Sequence, residues 1–394
     1  MLAPAHPKDL RALTIAAYIS FIPIGIATVL LGPMLPTLSY RWSLDYAQAG
    51  ALFLVQYVAS TCAVAISGIL ASRLGFRFAI KAGLILVAAG LALLLAGPRW
   101  LAMLSIAAYG FGNGIAVPAA NLLVAEANPN RRSSTLNLLN FFWSAGAVAC
   151  PFLVAAAAKR GQIPLFLGAV SIFSLAVALG IAAMPRHISE PAPAHDSTAP
   201  MLPIVRNQLS PFLILAGLFF LYVGMENSFG QWIASYSKSL GSLTLATAVM
   251  TPSFFYASLM LGRWLATLAL HAISDVVLAR LGLVLACAGM AGLIFSHALP
   301  SIIASACAAG LGLSSVYPIT IALLSREFPS PRIGSFMFTL SNIGGGMFPW
   351  LVGVSSTHFN SLQAGLLVPL ILCAGMFALY LHPWKHNPES PQST

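Results

Sequence analysis

Charge is what this chain has least of. Only 7% of its 394 residues are Asp, Glu, Lys or Arg, against about 25% in soluble domains. Acids are the scarcer sign, nine against nineteen Lys and Arg. The resulting +10 is spread over short loops rather than gathered in a patch, which argues against a nucleic-acid surface. Cysteine is sparse as well. Cys62, Cys150, Cys287, Cys307 and Cys373 all fall in apolar runs, none in C-x-x-C spacing, so they read as small reduced core residues rather than disulfides or metal ligands. There is no metal-ligand spacing and no Ser/His/Asp set on a shared site. A cofactor-dependent or hydrolytic enzyme is therefore not expected. The ~10-residue alternating segments of an outer-membrane barrel do not dominate either.

What the chain does have is apolar length. Hydrophobic residues make up 59% of it, in runs of about 20 residues that recur from end to end, the signature of membrane-spanning helices. About twelve spans are expected: 10–39, 46–72, 77–97, 100–126, 133–158, 163–184, 209–237, 243–271, 274–297, 299–326, 333–357 and 361–382. The first is too long for a signal peptide and counts as a span. Residues 185–208, rich in Pro, Ser and His, form a polar linker. The predicted organisation is a six-helix bundle over 1–184, a linker over 185–208, and a second six-helix bundle with its tail over 209–394. Thirteen basic residues fall on the side of the termini and linker, among them Arg73, Arg77, Arg131 and Arg280. Five fall on the other, and Arg263 lies inside a span. The positive-inside rule then puts both termini in the cytoplasm.

The halves repeat one another. YGFGNGIAVPAANLLVAEANPNRR from Tyr109 aligns without a gap on AGLGLSSVYPITIALLSREFPSPR from Ala309. Gly110, Gly112, Pro118, Pro129 and Arg132 match Gly310, Gly312, Pro318, Pro329 and Arg332. A second block pairs GLILVAAG from Gly83 with GLVLACAG from Gly282. Parallel repeats of six spans place a binding site between the halves, near the middle of the membrane.

One acid breaks the apolar pattern. Glu226, in YVGMENSFGQWIASY, is the acid expected at membrane depth, where a carboxyl is costly and marks function. Gly224 and Gly230 flank it and are expected to weaken the helix. Three roles are open to it: a proton or ion site, a direct ligand for a polar solute, or a structural partner of Arg263. Arg263 itself reads as a structural residue snorkelling toward the cytoplasmic end.

The loop after span two, GILASRLGFRFAIK from Gly68, resembles the conserved loop of the major facilitator superfamily, matching at Gly68, Leu70, Ala71, Arg73, Gly75 and Arg77. In that family the loop latches the cytoplasmic side closed, which assigns Gly68, Arg73, Gly75 and Arg77 to a cytoplasmic gate. Ser72 replaces the family's acid, so the latch is expected to be weakened or rewired. GFGNGIAVPAANLL, LNLLNFFWSAGA and LGRW further resemble the fucose–galactose–glucose:proton symporters. YVGMENSFGQWIASY is similar to span seven of sodium-dependent glucose transporters. The resemblance implies an all-α fold of two pseudo-symmetric six-helix bundles. It also implies a carrier that moves a sugar or similar polar solute with a proton or sodium ion, as a monomer in a bacterial inner membrane. An exporter of drugs or lipophilic metabolites is the alternative.

The symporters' acids in spans one and four are absent: Thr28 is the nearest polar residue of span one, and Val117 stands at the span-four position. Glu226 is left as the candidate coupling group. Sugars call for amides, which both donate and accept, and for aromatic rings against their C–H face. The substrate-binding candidates are Gln56, Asn121, Asn140, Trp143, Glu226, Asn227, Gln231, Tyr317 and Asn342. Any of the amides also has the plainer role of bonding a neighbouring helix. Trp232 and Trp350 also fit interfacial anchors.

Overall fold

A computed structural model describes residues 7–128, 131–184, 208–269, 273–328 and 331–384, and the regular structure among them is helical. Residues 185–207 of the expected linker lie outside the described residues. The first half runs through α1 (Pro7–Val29), α2 (Leu31–Trp42), α3 (Tyr46–Leu74), α4 (Phe76–Leu93), α5 (Arg99–Ala127), α6 (Arg132–Lys159) and α7 (Ile163–Ala183). The second runs through α8 (Leu209–Ser239), α9 (Leu245–Ala269), α10 (Asp275–Ile294), α11 (Leu299–Leu313), α12 (Val316–Glu327), α13 (Pro331–His358), α14 (Leu362–Gly365) and α15 (Leu367–Tyr380). Eleven passes are long and apolar enough to cross a membrane. The expected twelfth, α13, has 28 residues and the length to cross. Ser341, Asn342 and Gly344–Gly346 dilute its apolar character.

Three spans expected as single helices are broken in two, the last into α14 and α15, and the breaks in spans one and ten have one reason. Pro33 has no N–H to give the carbonyl of Val29, and its ring crowds that carbonyl, so the first span parts at Leu30. Pro318 does the same to Ser314, and span ten parts between α11 and α12. Its repeat partner Pro118 sits inside an unbroken α5. By contrast α8, expected to be weakened around Glu226, is continuous over 31 residues. Its glycines serve close packing instead: a Cβ on Gly224 would strike Phe348, and one on Gly230 would lie 2.7 Å from the Tyr256 hydroxyl.

The internal repeat is visible in the packing. Gly83 of α4 and Gly112 of α5 lie backbone to backbone, and Gly282 of α10 and Gly312 of α11 repeat the contact in the other half. Near its start, the third span of each half carries an arginine that caps a distant helix end. Arg77 donates to the carbonyls of Ile181 and Met184 at 3.1 and 2.7 Å. Arg280 donates twice to the carbonyl of Tyr380, at 3.0 and 2.8 Å.

The halves meet at the end of the molecule away from the termini. There α3 packs on α13, α6 on α9 and α2 on α8. Gly50 rests on Trp350 and Gly353. The Ala47 N–H donates to Thr357 Oγ1 at 2.8 Å, and Ser253 Oγ donates to the Val148 carbonyl at 2.9 Å. Toward the termini the same helices part. Val58 and Ile69 of α3, Asn137, Asn140 and Phe141 of α6, and Ile343 of α13 are exposed there.

The paired glycines give a direct test. A Gly312→Leu variant must force α10 and α11 apart, and overpacking of this kind costs about 1–3 kcal/mol. Thermal unfolding in detergent is expected to drop by several degrees, whereas Gly168→Leu, whose added Cβ meets nothing within 4 Å, leaves the midpoint nearly unchanged.

Candidate functional site

The break in the first span is filled by a side chain from the other half. In an unbroken helix the Gly32 N–H would donate to the Thr28 carbonyl, four residues back. Here the Gly32 N–H donates to Gln231 Oε1 at 2.8 Å. The Thr28 carbonyl accepts from Gln231 Nε2 at 3.4 Å and from Gln56 Nε2 at 3.1 Å. The α8 amide thus stands in the ladder of span one. Gly32 makes room for it, since a Cβ at that position would lie 2.6 Å from Gln231 Oε1. Both glutamines are buried, Gln56 at 3% and Gln231 at 1% exposure. Thr28 extends the layer further, its hydroxyl accepting from Asn113 Nδ2 at 3.3 Å. A free carbonyl in a membrane costs several kcal/mol, so this is where the amides are needed.

The break in span ten meets the same α8 about two and a half turns away. The Tyr222 hydroxyl donates to the Leu313 carbonyl at 3.2 Å, an acceptor the break leaves without its helical N–H. Tyr317, just past the break, stacks on Tyr222 with ring centres 4.8 Å apart and planes inclined by 21°. Between these two anchors of α8 lies Glu226. It is partly exposed, its carboxylate meets the Tyr222 hydroxyl one turn back, and Arg263 acts on it electrostatically without closing to an ion pair. Tyr57, Tyr256 and Tyr317 also lie within its electrostatic reach, and the Tyr57 hydroxyl meets the Asn227 side chain. Five residues of helix rise at 1.5 Å each set Glu226 about 7 Å beyond the Gln231 layer, on the side where the halves part.

The sequence candidates therefore divide into three groups. Glu226, Asn227 and Tyr317 come together, joined by Tyr57, Tyr222, Tyr256 and Arg263. Gln56 and Gln231 come together on the Thr28 carbonyl, in the closed layer. The others stand apart from the carboxylate, on helices bordering the gap. Asn121 is half-buried and donates to its own helix at Val117 O, 2.8 Å. Asn140 is exposed and does likewise to Leu136 O at 2.9 Å. Trp143 is half-buried, with its backbone against Gly25 of α1. Asn342 is half-buried with no hydrogen bond among the described residues. Trp232, considered as an interfacial anchor, is fully buried, and its Nε1 donates to the Pro349 carbonyl at 2.9 Å. Cys62, expected in the core, is exposed. In the loop after α3, Gly75 adopts φ 87°, a conformation open to glycine. Gly68 and Arg73 are exposed, and Arg77 is tied to α7 of its own half.

Tyr222 and Thr28 carry more of the site than their residue types suggest. The signal for both is a proline shortly downstream that breaks the helix there: Pro33 after Thr28, Pro318 after Leu313.

Two pseudo-symmetric helical bundles, closed on one face and parted on the other around a half-exposed carboxyl, define a membrane carrier. The family model of the Major Facilitator Superfamily matches residues 17–349, and the chain belongs to that superfamily of transporters. Among curated proteins it is similar to Protein TsgA of Escherichia coli O157:H7, 28% identical over 297 residues that make up 71% of each chain. Three solved structures share the fold. A bacterial homolog of the human lysosomal transporter Spinster, inward-facing and occupied, has a TM-score of 0.75 at 16% identity, covering 96% of this chain and 97% of that one. A D-xylose–proton symporter has 0.74 at 15%, covering 96% and 98%. The transporter FucP in its outward conformation has 0.65 at 19%, covering 95% and 99%.

The Gln231 bridge is expected to hold the closed face together. Replacing it by Leu strands the Gly32 N–H and one donor to Thr28, at a cost of about 1–3 kcal/mol, or on the order of tenfold in the open-to-closed ratio. Spin labels at Tyr40 and Phe359, exposed on that face in opposite halves, read the change. Gln231→Leu should add a longer-distance population, and an unaltered distance distribution would mean the face is held by packing alone.

Proposed function

We propose that this protein is a secondary active transporter that carries a sugar or similar polar small solute by alternating access, in symport with a proton or a sodium ion. The observation that carries the reading is the position of Glu226. It is a carboxyl at the closed end of a gap open on one side, reached by hydroxyls and an amide from both halves. A carboxyl there is costly in a membrane unless it serves the transported species or the coupling ion. Four tyrosine rings with their hydroxyls offer the flat face and the polar edge that a sugar needs. The D-xylose–proton symporter among the structural neighbours has a substrate and an ion of this kind.

In this reading the site has two tiers. Glu226, Asn227 and Tyr317 contact the solute, with Asn121, Asn140, Trp143 and Asn342 closing around it when the halves approach on the open side. Gln56 and Gln231 govern the closed face. The parted face carries the termini and the larger share of the basic residues, so the positive-inside rule makes it cytoplasmic and the conformation inward-open. The loop with Gly68, Arg73, Gly75 and Arg77 is the cytoplasmic gate of this monomer in a bacterial inner membrane. Arg77 is bound to α7 of its own half in the open state and is available to meet the opposite half on closure.

Coupling through Glu226 is tested in proteoliposomes with an imposed proton or sodium gradient. Glu226→Gln keeps the shape and removes the charge. Uphill accumulation is expected to collapse to the equilibrium level while solute exchange at equal concentrations persists. Accumulation equal to wild type would remove the coupling role.

A further inference from the structure

Arg263 is the odd residue in this bundle. It sits on α9, ten residues beyond the Ser253 contact with α6, so about 15 Å further into the parted region at 1.5 Å per residue. It is half-buried. Its Nε is buried without a hydrogen-bond partner, and its terminal nitrogens make no hydrogen bond or ion pair with the described residues. Tyr222, Tyr317 and Glu226 all lie within its electrostatic reach. A guanidinium presents five donors in a planar fork. A donor of this fork buried without a protein acceptor, as Nε is, carries a desolvation cost, and buried charges are normally paired.

The same sign appears on the parted face. A cavity of about 750 Å³ at the ends of α1 and α5 is lined by Arg11 and Arg131 along with Thr14, Tyr18 and Asn128. Among the described residues no carboxylate lines it. A pocket with two arginines on this face attracts and concentrates anions.

We propose that Arg263 recognises a carboxylate on the transported solute, which makes the substrate a polyhydroxylated acid, such as a sugar acid, rather than a neutral sugar. This rests on the transport reading above and sharpens its substrate class. The division of labour follows from the geometry. The guanidinium takes the carboxylate through two parallel N–H···O bonds, and the tyrosine and amide cluster around Glu226 takes the hydroxyls. It also accounts for an arginine and a glutamate held near one another without pairing. Glu226 and Arg263 together are close to neutral, so an incoming anion leaves the site one negative charge in excess unless a proton or sodium ion enters with it. An anionic substrate therefore supplies a physical reason for cation symport at this carboxyl.

The test is binding by the purified full-length protein in detergent, followed by thermal shift and by calorimetry. The probes are D-gluconate and D-glucuronate, set against D-glucose and D-xylose. The acids should raise the melting temperature and the neutral sugars should do so weakly or not at all. Arg263→Gln is expected to lower the affinity for the acids by about 10–100-fold while leaving the weaker response to neutral sugars unchanged. Arg263→Lys, which keeps the charge but not the fork, should fall between. Should Arg263→Gln fail to fold, competition on the wild-type protein decides instead: gluconate should displace bound labelled glucuronate and glucose should not. Equal responses to acids and neutral sugars, or undiminished acid binding by Arg263→Gln, would overturn the inference and leave the sugar carrier standing. Silence toward every acid and every sugar would remove both.

Discussion

A side-chain amide standing in for a backbone hydrogen bond is the interaction on which this architecture turns. Membrane interiors offer no water to a carbonyl that has lost its partner, so a proline in a spanning helix creates a demand that some other residue must meet. In span one the demand arises at Pro33, and Gln231 meets it from the opposite half. The result is more than a repair. The two bundles become joined through the ladder of a helix, at one layer, by bonds that are specific in direction and easily exchanged. Apolar packing between bundles can slide. An amide that fits only between Gly32 N–H and Thr28 O cannot, and so it fixes the register of the closed face.

The same helix answers both breaks. α8 presents Gln231 to the gap in span one and Tyr222 to the gap in span ten, and Glu226 lies between them. Motion that separates α8 from α2 and motion that shifts α11 against α12 must therefore both be felt at the carboxyl, because the residues that move are its neighbours one to two turns away. This is a direct mechanical path between the state of the closed face and the environment of the acid. Coupling of a site to a gate requires an element of this kind, which touches both. The continuity of α8 is part of the mechanism: a rigid rod transmits displacement from one end of the site to the other, which a helix unwound at Gly224 or Gly230 would absorb.

How much of this was legible in the residues differs between levels. The two-bundle fold was, because the Gly and Pro matches between the halves at an offset of 200 report backbone contacts that recur in space as Gly83 with Gly112 and Gly282 with Gly312. Glu226 was, because a carboxyl in an apolar run is conspicuous. The fate of the amides was not. Asn and Gln look alike in a sequence whether they face a solute or a broken helix, and only the path of the partner chain separates Gln231 from Asn342. Which proline breaks its helix was also hidden. Pro118 and Pro318 occupy equivalent positions, but only at Pro318 does a tyrosine from a neighbouring helix take up the freed carbonyl, so the local sequence that is the same in both halves yields a straight helix in one and a jointed one in the other.

That asymmetry bears on why the halves, though duplicated, divide their work. The polar groups around the carboxyl come mostly from the second half: Tyr222, Glu226, Asn227, Tyr256, Arg263 and Tyr317, with Tyr57 as the first half's contribution. The first half instead supplies the layer of Thr28, Gln56 and Asn113, in which each amide reaches Thr28. A fully symmetric carrier would put half of its ligands on each bundle, and rocking would pull the site apart in every cycle. On the proposed transport reading, concentrating the charged and aromatic groups on one bundle would keep the site intact while the other bundle moves past it. The cost of an acid at membrane depth is then met within one rigid body, and the exchange of amide bonds at Thr28 is left to mark which face is closed.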